Sequence, residues 1–299
     1  MKKLWFSLQS KYAPYLFVAP FVIIFILFTL YPLLKSLFLS FYITNGPKAQ
    51  SFVGLDNFIF LFDDPTFHRA IWNTVIYAIC SLCVQLPLSL GLALLLNSRF
   101  LKARNFFRFS FFSPHLVGQV FVAVLFSVIF MPKFGLLNRI LHVSINTAID
   151  TKWLGNPELV MPALVMTSLW MYVGFNMIYF LAALQSVDRE LYDAAQVDGA
   201  GPINQFRHVT LPSIQSVAVF VGVLTTIGSF QLFELPYVML GNTSGPDNAG
   251  LTVVMYLFQN GFISGDLGYA SAIGWTLTMG VLLISLLQMR LTGAGKYKH

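Results

Sequence analysis

The chain of 299 residues is 57% hydrophobic and only 10% charged, and it contains 30 phenylalanines. A soluble domain carries roughly 25% charged residues, and no single core of this size hides so much apolar surface, so a soluble enzyme is excluded. The net charge of +6 sits in short clusters between long apolar runs, which suits an anionic membrane surface and lacks the shared basic face that nucleic acid requires.

An α-helix crosses the hydrocarbon core with about 20 apolar residues. Six uncharged runs of that length occur, at residues 13–34, 70–98, 109–132, 159–187, 208–233 and 267–289, and they predict an all-α polytopic membrane protein with six transmembrane helices. The first run follows Lys2, Lys3 and Lys11, as the core of a signal peptide would. Its length and the lack of a small-residue cleavage site predict a retained anchor instead. Residues 1–69 are therefore read as anchor helix and extracytoplasmic loop, 70–290 as a core holding the other five spans, and 291–299 as a cytoplasmic tail. The stretch 248–265 is also uncharged, but its apolar centre is only 251–258, so a re-entrant or interfacial helix is expected there.

Lys and Arg resist translocation and so set orientation. Lys2, Lys3 and Lys11, then Arg99, Lys102, Arg104 and Arg108, then Arg189 and Arg207, then Arg290, Lys296 and Lys298 all fall on one side of this topology. They outnumber Lys48, Arg69, Lys133, Arg139 and Lys152 on the other, which predicts cytoplasmic N and C termini.

Polar groups inside spans are costly, and they mark either function or bonding between helices. On the fourth span Gly174, Asn176 and Met177 lie close together. Near the outer end of the fifth, Phe230, Gln231 and Glu234 follow one face, with Gln231 and Glu234 one helical turn apart. An aromatic ring beside amide and carboxylate acceptors suits a sugar, whose ring faces stack and whose hydroxyls demand paired hydrogen bonds. These six residues are the substrate-pathway candidates, and bonding to neighbouring helices is the alternative role. Gln119 and Lys35 are further polar candidates. Cys80 and Cys83 lie mid-span and the histidines show no paired ligand spacing, so no metal site is expected. The chain holds no Gly-x-x-x-x-Gly-Lys-Ser/Thr run to cradle a phosphate, so neither a cofactor nor ATP hydrolysis by that route is assigned to it.

The cytoplasmic connection 185–212 breaks the basic pattern, for it carries Asp188, Glu190, Asp193 and Asp198 against Arg189 and Arg207. An acidic segment on the positive side is expected to meet a protein. Asp188 is placed to cap a short helix, Leu191, Ala194 and Ala195 recur on one face, and Gly199 with Gly201 and Pro202 supplies a stop. A second short helix through Phe206 and Val209 is expected to end where Pro212 opens the fifth span.

The spacing here is Asp193-Ala194-Ala195, then Gly199, then Val209, then Leu211-Pro212. It resembles the Glu-Ala-Ala, three residues, Gly, nine residues, Ile, one residue, Leu-Pro pattern of the permease subunits of binding-protein-dependent ABC importers, with Asp for Glu and Val for Ile. Further segments are similar to the sugar-importing, maltose/oligosaccharide-type branch: residues 52–58, Asn73-Thr74, residues 111–114, 135–138 and 268–272. Thr243-Ser244-Gly245-Pro246 departs from that branch's Gly-Gly-Pro. The resemblance implies a type I ABC importer permease fold in a bacterial inner membrane, with spans flanking the connection lining the pathway. It also implies a coupling helix at about 188–201 that docks on a separate ATPase. The implied partners are a second homologous permease, two ABC ATPase subunits carrying ATP and Mg, and an extracytoplasmic solute-binding protein. The implied cargo is a di- or oligosaccharide, or a related polyol or glycerol phosphate, with a non-sugar solute as an alternative. An ion-gradient-driven secondary transporter is the other alternative, but neither an inverted repeat nor a chain of buried carboxylates supports it. An unrelated scaffold subunit would leave the 193–212 spacing unexplained.

Overall fold

A computed structural model describes residues 2–44, 50–98, 101–145 and 150–292, and the side chains of all of these except 2–11 and 145. Lys48, Arg99, Lys296 and Lys298 of the orientation analysis, and the tail beyond 292, lie outside the described residues.

Among the described residues, four helices are long and apolar enough to cross a membrane unbroken: Tyr12–Leu39, Pro65–Asn97, Pro157–Gln185 and Leu267–Leu291. The remaining two expected spans are bent pairs, Arg104–Leu116 with Gln119–Ile129 at 98° and Pro202–Ser213 with Gln215–Phe230 at 67°. Six spans result when each pair counts as one, but the straight helices expected over 109–132 and 208–233 are corrected to jointed ones. The first joint has a local cause. Pro114 sits in a 3-10 turn, and Val117 and Gly118 adopt extended backbone with ψ of 133° and 141°. At the second joint Ile214 leaves helical geometry with φ −95° and ψ 2°, so the long segment begins at Gln215 and Pro212 does not open it. Pro212 lies instead in the turn Leu211–Ser213, where its missing N–H weakens the helix just before the bend.

The second span starts at Pro65, earlier than its apolar run, because Asp64 accepts the Thr66 amide at 2.8 Å and Pro65 presets the first turn. The short apolar helix Val253–Ile263 occupies the stretch expected to be re-entrant or interfacial.

The chain divides into two compact units, Met1–Asp63 with Leu257–Thr276, and Asp64–Tyr256 with Leu277–His299. Among the described residues the first contains the one departure from an all-α fold, a two-stranded antiparallel sheet pairing Tyr42–Thr44 with Gln50–Phe52. Asn57 secures it by donating to the Ser40 and Tyr42 carbonyls, both at 2.9 Å. The first span has none of its most apolar window buried.

The second unit is built around the fourth span, 56% buried over its most apolar window. One end packs Val160, Ala163 and Leu164 with Val122, Leu235 and Met239, and the other packs Met177, Phe180 and Leu184 with Ala93, Leu96 and Val221. Gly174 permits a close crossing, since a β-carbon there would run into the Phe111 carbonyl.

A polar clasp closes one end of this unit. Asn73 donates to the carbonyls of Asn248 (2.8 Å) and Leu251 (3.0 Å), and the Thr74 hydroxyl accepts the Val253 amide at 3.1 Å. Tyr256 donates its hydroxyl to Asp64. Asn73→Leu strands the buried Leu251 carbonyl, an expected loss of about 1–3 kcal/mol, while the Asn248 carbonyl keeps the Leu251 amide at 3.1 Å. Hydrogen exchange measured by mass spectrometry should then show faster exchange in peptides covering 248–256 and little change around 180–184.

Candidate functional site

The connection 185–212, expected on the cytoplasmic side, forms a helix over Arg189–Val197, as expected. Asp188 occupies the N-cap with extended backbone, yet its side chain makes no capping bond, which corrects the role assigned to it. The other end is specified more tightly. Gly199 has φ +76°, the Ala200 amide reaches the Ala195 carbonyl at 2.8 Å, and the Gly199 amide reaches Gln196 at 3.0 Å. This is the paired-bond ending that a left-handed residue produces after a helix. Nothing lies within 4 Å of a β-carbon built at Gly199, so backbone conformation alone, not space, calls for glycine.

Asp193 and Ala194 are exposed and Ala195 is half-buried. Around them Leu191 is 50% exposed, Val197 89% and Ile203 81%, apolar side chains left largely uncovered by the described residues. The helix is fastened to the segment that follows by a Tyr192–Thr210 hydroxyl contact of 3.0 Å and by Gln205 donating to the Ala200 carbonyl at 2.9 Å. Val209 is half-buried, and Leu211 and Pro212 are exposed and line an apolar cavity of about 530 Å³. Its polar edge is Gln215, which donates to the Thr292 carbonyl at 2.9 Å.

A second cavity, of about 310 Å³, is polar. It lies about midway along the 29-residue fourth span, which contributes Tyr172, Phe175 and Asn176. Gln119, the first residue after the joint of the third span, donates to the Tyr172 hydroxyl at 2.6 Å. Asn176 reaches Thr225 of the fifth span at 3.4 Å. His115 stacks on Phe175 with centroids 4.1 Å apart and planes at 26°, presenting a ring platform at the wall. Gln231 and Glu234 complete the opposite side.

Of the six pathway candidates, the structure brings Asn176, Gln231 and Glu234 to this cavity. Gly174 lies at the crossing with Phe111, Met177 is fully buried in the apolar core, and Phe230 is 8% exposed without lining the cavity. Gln231 and Glu234 do not share a helical face. The helix ends at Phe230 and a new one, Glu234–Met239, begins only after a break. That break is held by Thr252, whose hydroxyl donates to the Leu232 carbonyl at 2.7 Å. Reading the sequence by lone polar residues missed Gln85, Tyr172, Phe175, Thr225 and Ser229. A search for polar and aromatic residues at helical spacing would have found Tyr172, Phe175 and Asn176, and Thr225 with Ser229.

The lining combines the phenols of Tyr77 and Tyr172, amides, hydroxyls and one carboxylate with an aromatic face, a set suited to a neutral polyhydroxylated molecule. No cluster of metal-ligating side chains occurs among the described residues.

Comparison with known proteins agrees with this architecture. Residues 85–294 match the family described as binding-protein-dependent transport system inner membrane component. The chain is 40% identical to the arabinooligosaccharides transport system permease protein AraP of Bacillus subtilis, covering 96% of this chain and 91% of the relative. It is 33% identical to the lactose transport system permease protein LacF of Rhizobium radiobacter, covering 92% of each. It superposes, with TM-score 0.82 and 25% identity over 97% of both chains, on a subunit in the crystal structure of a bacterial alginate ABC transporter in complex with an alginate pentasaccharide-bound periplasmic protein.

The division between packing and cavity residues is testable. Gly174→Ala should push the fourth span off Phe111 at a cost of about 1–3 kcal/mol, and Met177→Ala should cost about 2–5 kcal/mol. Asn176→Ala, which gives up one long hydrogen bond at a cavity wall, should cost about 1 kcal/mol or less. Thermal unfolding in detergent should rank the three variants in that way.

Proposed function

We propose, from the premise that this chain belongs to the family of binding-protein-dependent transport system inner membrane components, that it forms the translocation pathway of an ATP-driven sugar importer. It is a multi-pass membrane protein with the type I ABC importer permease fold, and its relatives carry the names of permeases, not enzymes. The cargo we infer is a di- or oligosaccharide, or a related polyol or glycerol phosphate. An extracytoplasmic binding protein delivers it, and a second homologous permease completes the pathway. Two partner ATPases bind ATP and Mg, and both termini of this chain face the cytoplasm of a bacterium whose inner membrane it spans. The relatives that transport arabinooligosaccharides and lactose support the sugar. The pentasaccharide-bound periplasmic protein of the alginate transporter supports delivery by a binding protein.

One observation carries the mechanism: the exposed cytoplasmic helix is mechanically continuous with the wall of the polar cavity. Asp193, Ala194 and Ala195 offer a small-residue surface to an ATPase groove, with Gly199 fixing the turn behind it. A push on that helix passes through the Tyr192–Thr210 contact to residues 209–212, across the joint at Ile214, and along Gln215–Phe230. At the far end of that helix stand Gln231 and Glu234. ATP binding at the partners closes the groove, moves the helix and turns the cavity from one membrane face to the other.

Uptake by proteoliposomes holding the complete transporter tests both ends of this route. Gly199→Val imposes about 1–3 kcal/mol of backbone strain and should abolish ATP-dependent uptake while membrane insertion continues. Normal uptake with normal stimulation of ATP hydrolysis would sink the coupling role. The Gln231→Leu, Glu234→Leu double variant should lose roughly 1–3 kcal/mol for each hydroxyl bond it removes, so uptake falls while basal ATP hydrolysis and assembly persist. Unchanged uptake and apparent affinity would move the substrate site to the sister permease. A cysteine at Gln196 should react with a membrane-impermeant thiol reagent only from the cytoplasmic side.

A further inference from the structure

A third cavity lies away from the pathway and has a different chemistry. It is a cleft of about 400 Å³ between the end of the second span and the helix Arg104–Phe112, lined by Leu92, Leu95, Leu96, Leu101, Phe107 and Phe111. Ala103, with a left-handed φ of 60°, makes the reversal that starts this helix beside the span it has just left. The cleft walls are apolar apart from Ser98, and Leu95 remains 65% exposed.

Its edge is cationic and unneutralised by nearby sequence. Lys102, Arg104 and Arg108 lie in a stretch, residues 65–149, without a single Asp or Glu. On the helix Arg104–Phe112, Arg104 and Arg108 each stand three residues before a cleft phenylalanine, Phe107 and Phe111, so cations and rings share one broad face. Arg104 Nε donates to the Leu101 carbonyl at 3.3 Å, which holds its guanidinium at a residue of the cleft. Arg108 Nε is buried without a hydrogen-bond partner. Guanidinium groups with unused donors are suited to phosphate oxygens. A narrow apolar slot beside them, in a chain that spans a membrane, is suited to an acyl chain.

We propose that this cleft is a binding site for one anionic phospholipid, its acyl chain among the leucines and phenylalanines and its phosphate held by Lys102, Arg104 and Arg108. Two features distinguish such a site from diffuse adsorption of a basic loop. Binding saturates at one lipid, and it requires the slot as well as the charge.

Native mass spectrometry of the full chain, purified from membranes with its copurifying subunits, tests this by titration with phosphatidylglycerol and, separately, phosphatidylcholine. One phosphatidylglycerol should be retained in preference to phosphatidylcholine. Arg104→Gln with Arg108→Gln should weaken that retention about 30-fold, and Arg104→Lys with Arg108→Lys should restore most of it. Leu95→Trp, which fills the slot and leaves every charge in place, should also remove the bound lipid. Equal binding of the two lipids, or retention undiminished in the glutamine pair, overturns the site. Retention that falls with charge but ignores Leu95→Trp overturns the cleft in favour of a diffuse surface anchor. Should the glutamine pair fail to fold, Leu95→Trp, altered only at an exposed side chain, decides the question by itself.

Discussion

A helix that breaks inside the hydrocarbon region exposes main-chain amides and carbonyls that lipid cannot satisfy, and the cost of leaving them unpaired is severe. Among the described residues, helical geometry is interrupted after Leu116 in the third span and after Phe230 in the fifth, and polar contacts of the second unit are arranged around these two points. The polar cavity lies where residues beside these breaks, Gln119, Gln231 and Glu234, face Tyr172 and Asn176 of the fourth span. Gln119 follows one break and Gln231 the other. The Leu232 carbonyl, which would otherwise be an orphan, is taken by Thr252. The outer segment 248–253 is in turn held by Asn73 and Thr74. Asn73 and Thr74 therefore act on the cavity at one remove, by fixing the strut that fixes the break.

The fifth span is a jointed lever rather than a membrane-crossing rod. Its rigid part, Gln215–Phe230, lies between the 67° bend at Ile214 and the break before Glu234. Near the first joint Gln215 bonds the Thr292 carbonyl, and along the helix Thr226 accepts from Gln288 at 2.8 Å, so the lever is tied to the last helix as well as to the cytoplasmic connection. Helices transmit displacement and joints absorb the dihedral change, so the movement proposed for transport would concentrate at residues 214 and 231–233. The second of those joints carries the cavity's Gln231 and adjoins Glu234. Geometry of this kind lets a small rotation at the membrane surface exchange which polar groups face the cavity without unfolding any helix.

Much of this was legible in the sequence where one physical requirement acts locally. Span count and the short helix Val253–Ile263 follow from apolar run length, and the positive φ at Gly199 follows from the Gly-x-Gly-Pro stop. The joints were not read from the sequence although Pro114 and Pro212 stand just before them, because a proline near a span end also fits a first helical turn, and Val117 and Ile214 are themselves compatible with continuing helix until tertiary contacts decide. The reading of Gln231 and Glu234 as i, i+3 partners assumed an unbroken helix and so put Phe230 on their face. Both carboxamide and carboxylate reach the cavity by another route. Gly174 shows the same limit from the opposite direction. Its neighbour Asn176 made it look like part of a polar site, while its actual constraint is the Phe111 carbonyl, a contact separated by many residues and invisible to local pattern.

The connections after the second and fourth spans emerge on the same side of a six-span chain, yet they carry opposite charge, and this decides what each can touch. The first is basic, with Lys102, Arg104 and Arg108 beside exposed Phe106 and Phe109. Anionic headgroups attract it and the rings sink into the interface, so lipid covers its apolar surface. The second presents Glu190, Asp193 and Asp198 beside Leu191, Val197 and Ile203, with Val197 89% exposed. Burying that surface in an anionic interface would bring carboxylates against phosphates and leave them poorly hydrated, so lipid is a poor cover for it. Water leaves the apolar side chains exposed, and the described residues of the chain leave them largely uncovered. A protein groove is the environment that removes this apolar area from water while matching the carboxylates with its own cations. On the function proposed above, the short acidic helix is kept off the membrane surface and available to the ATPase, and the basic connection one helical pair away would hold its own span ends at the headgroups.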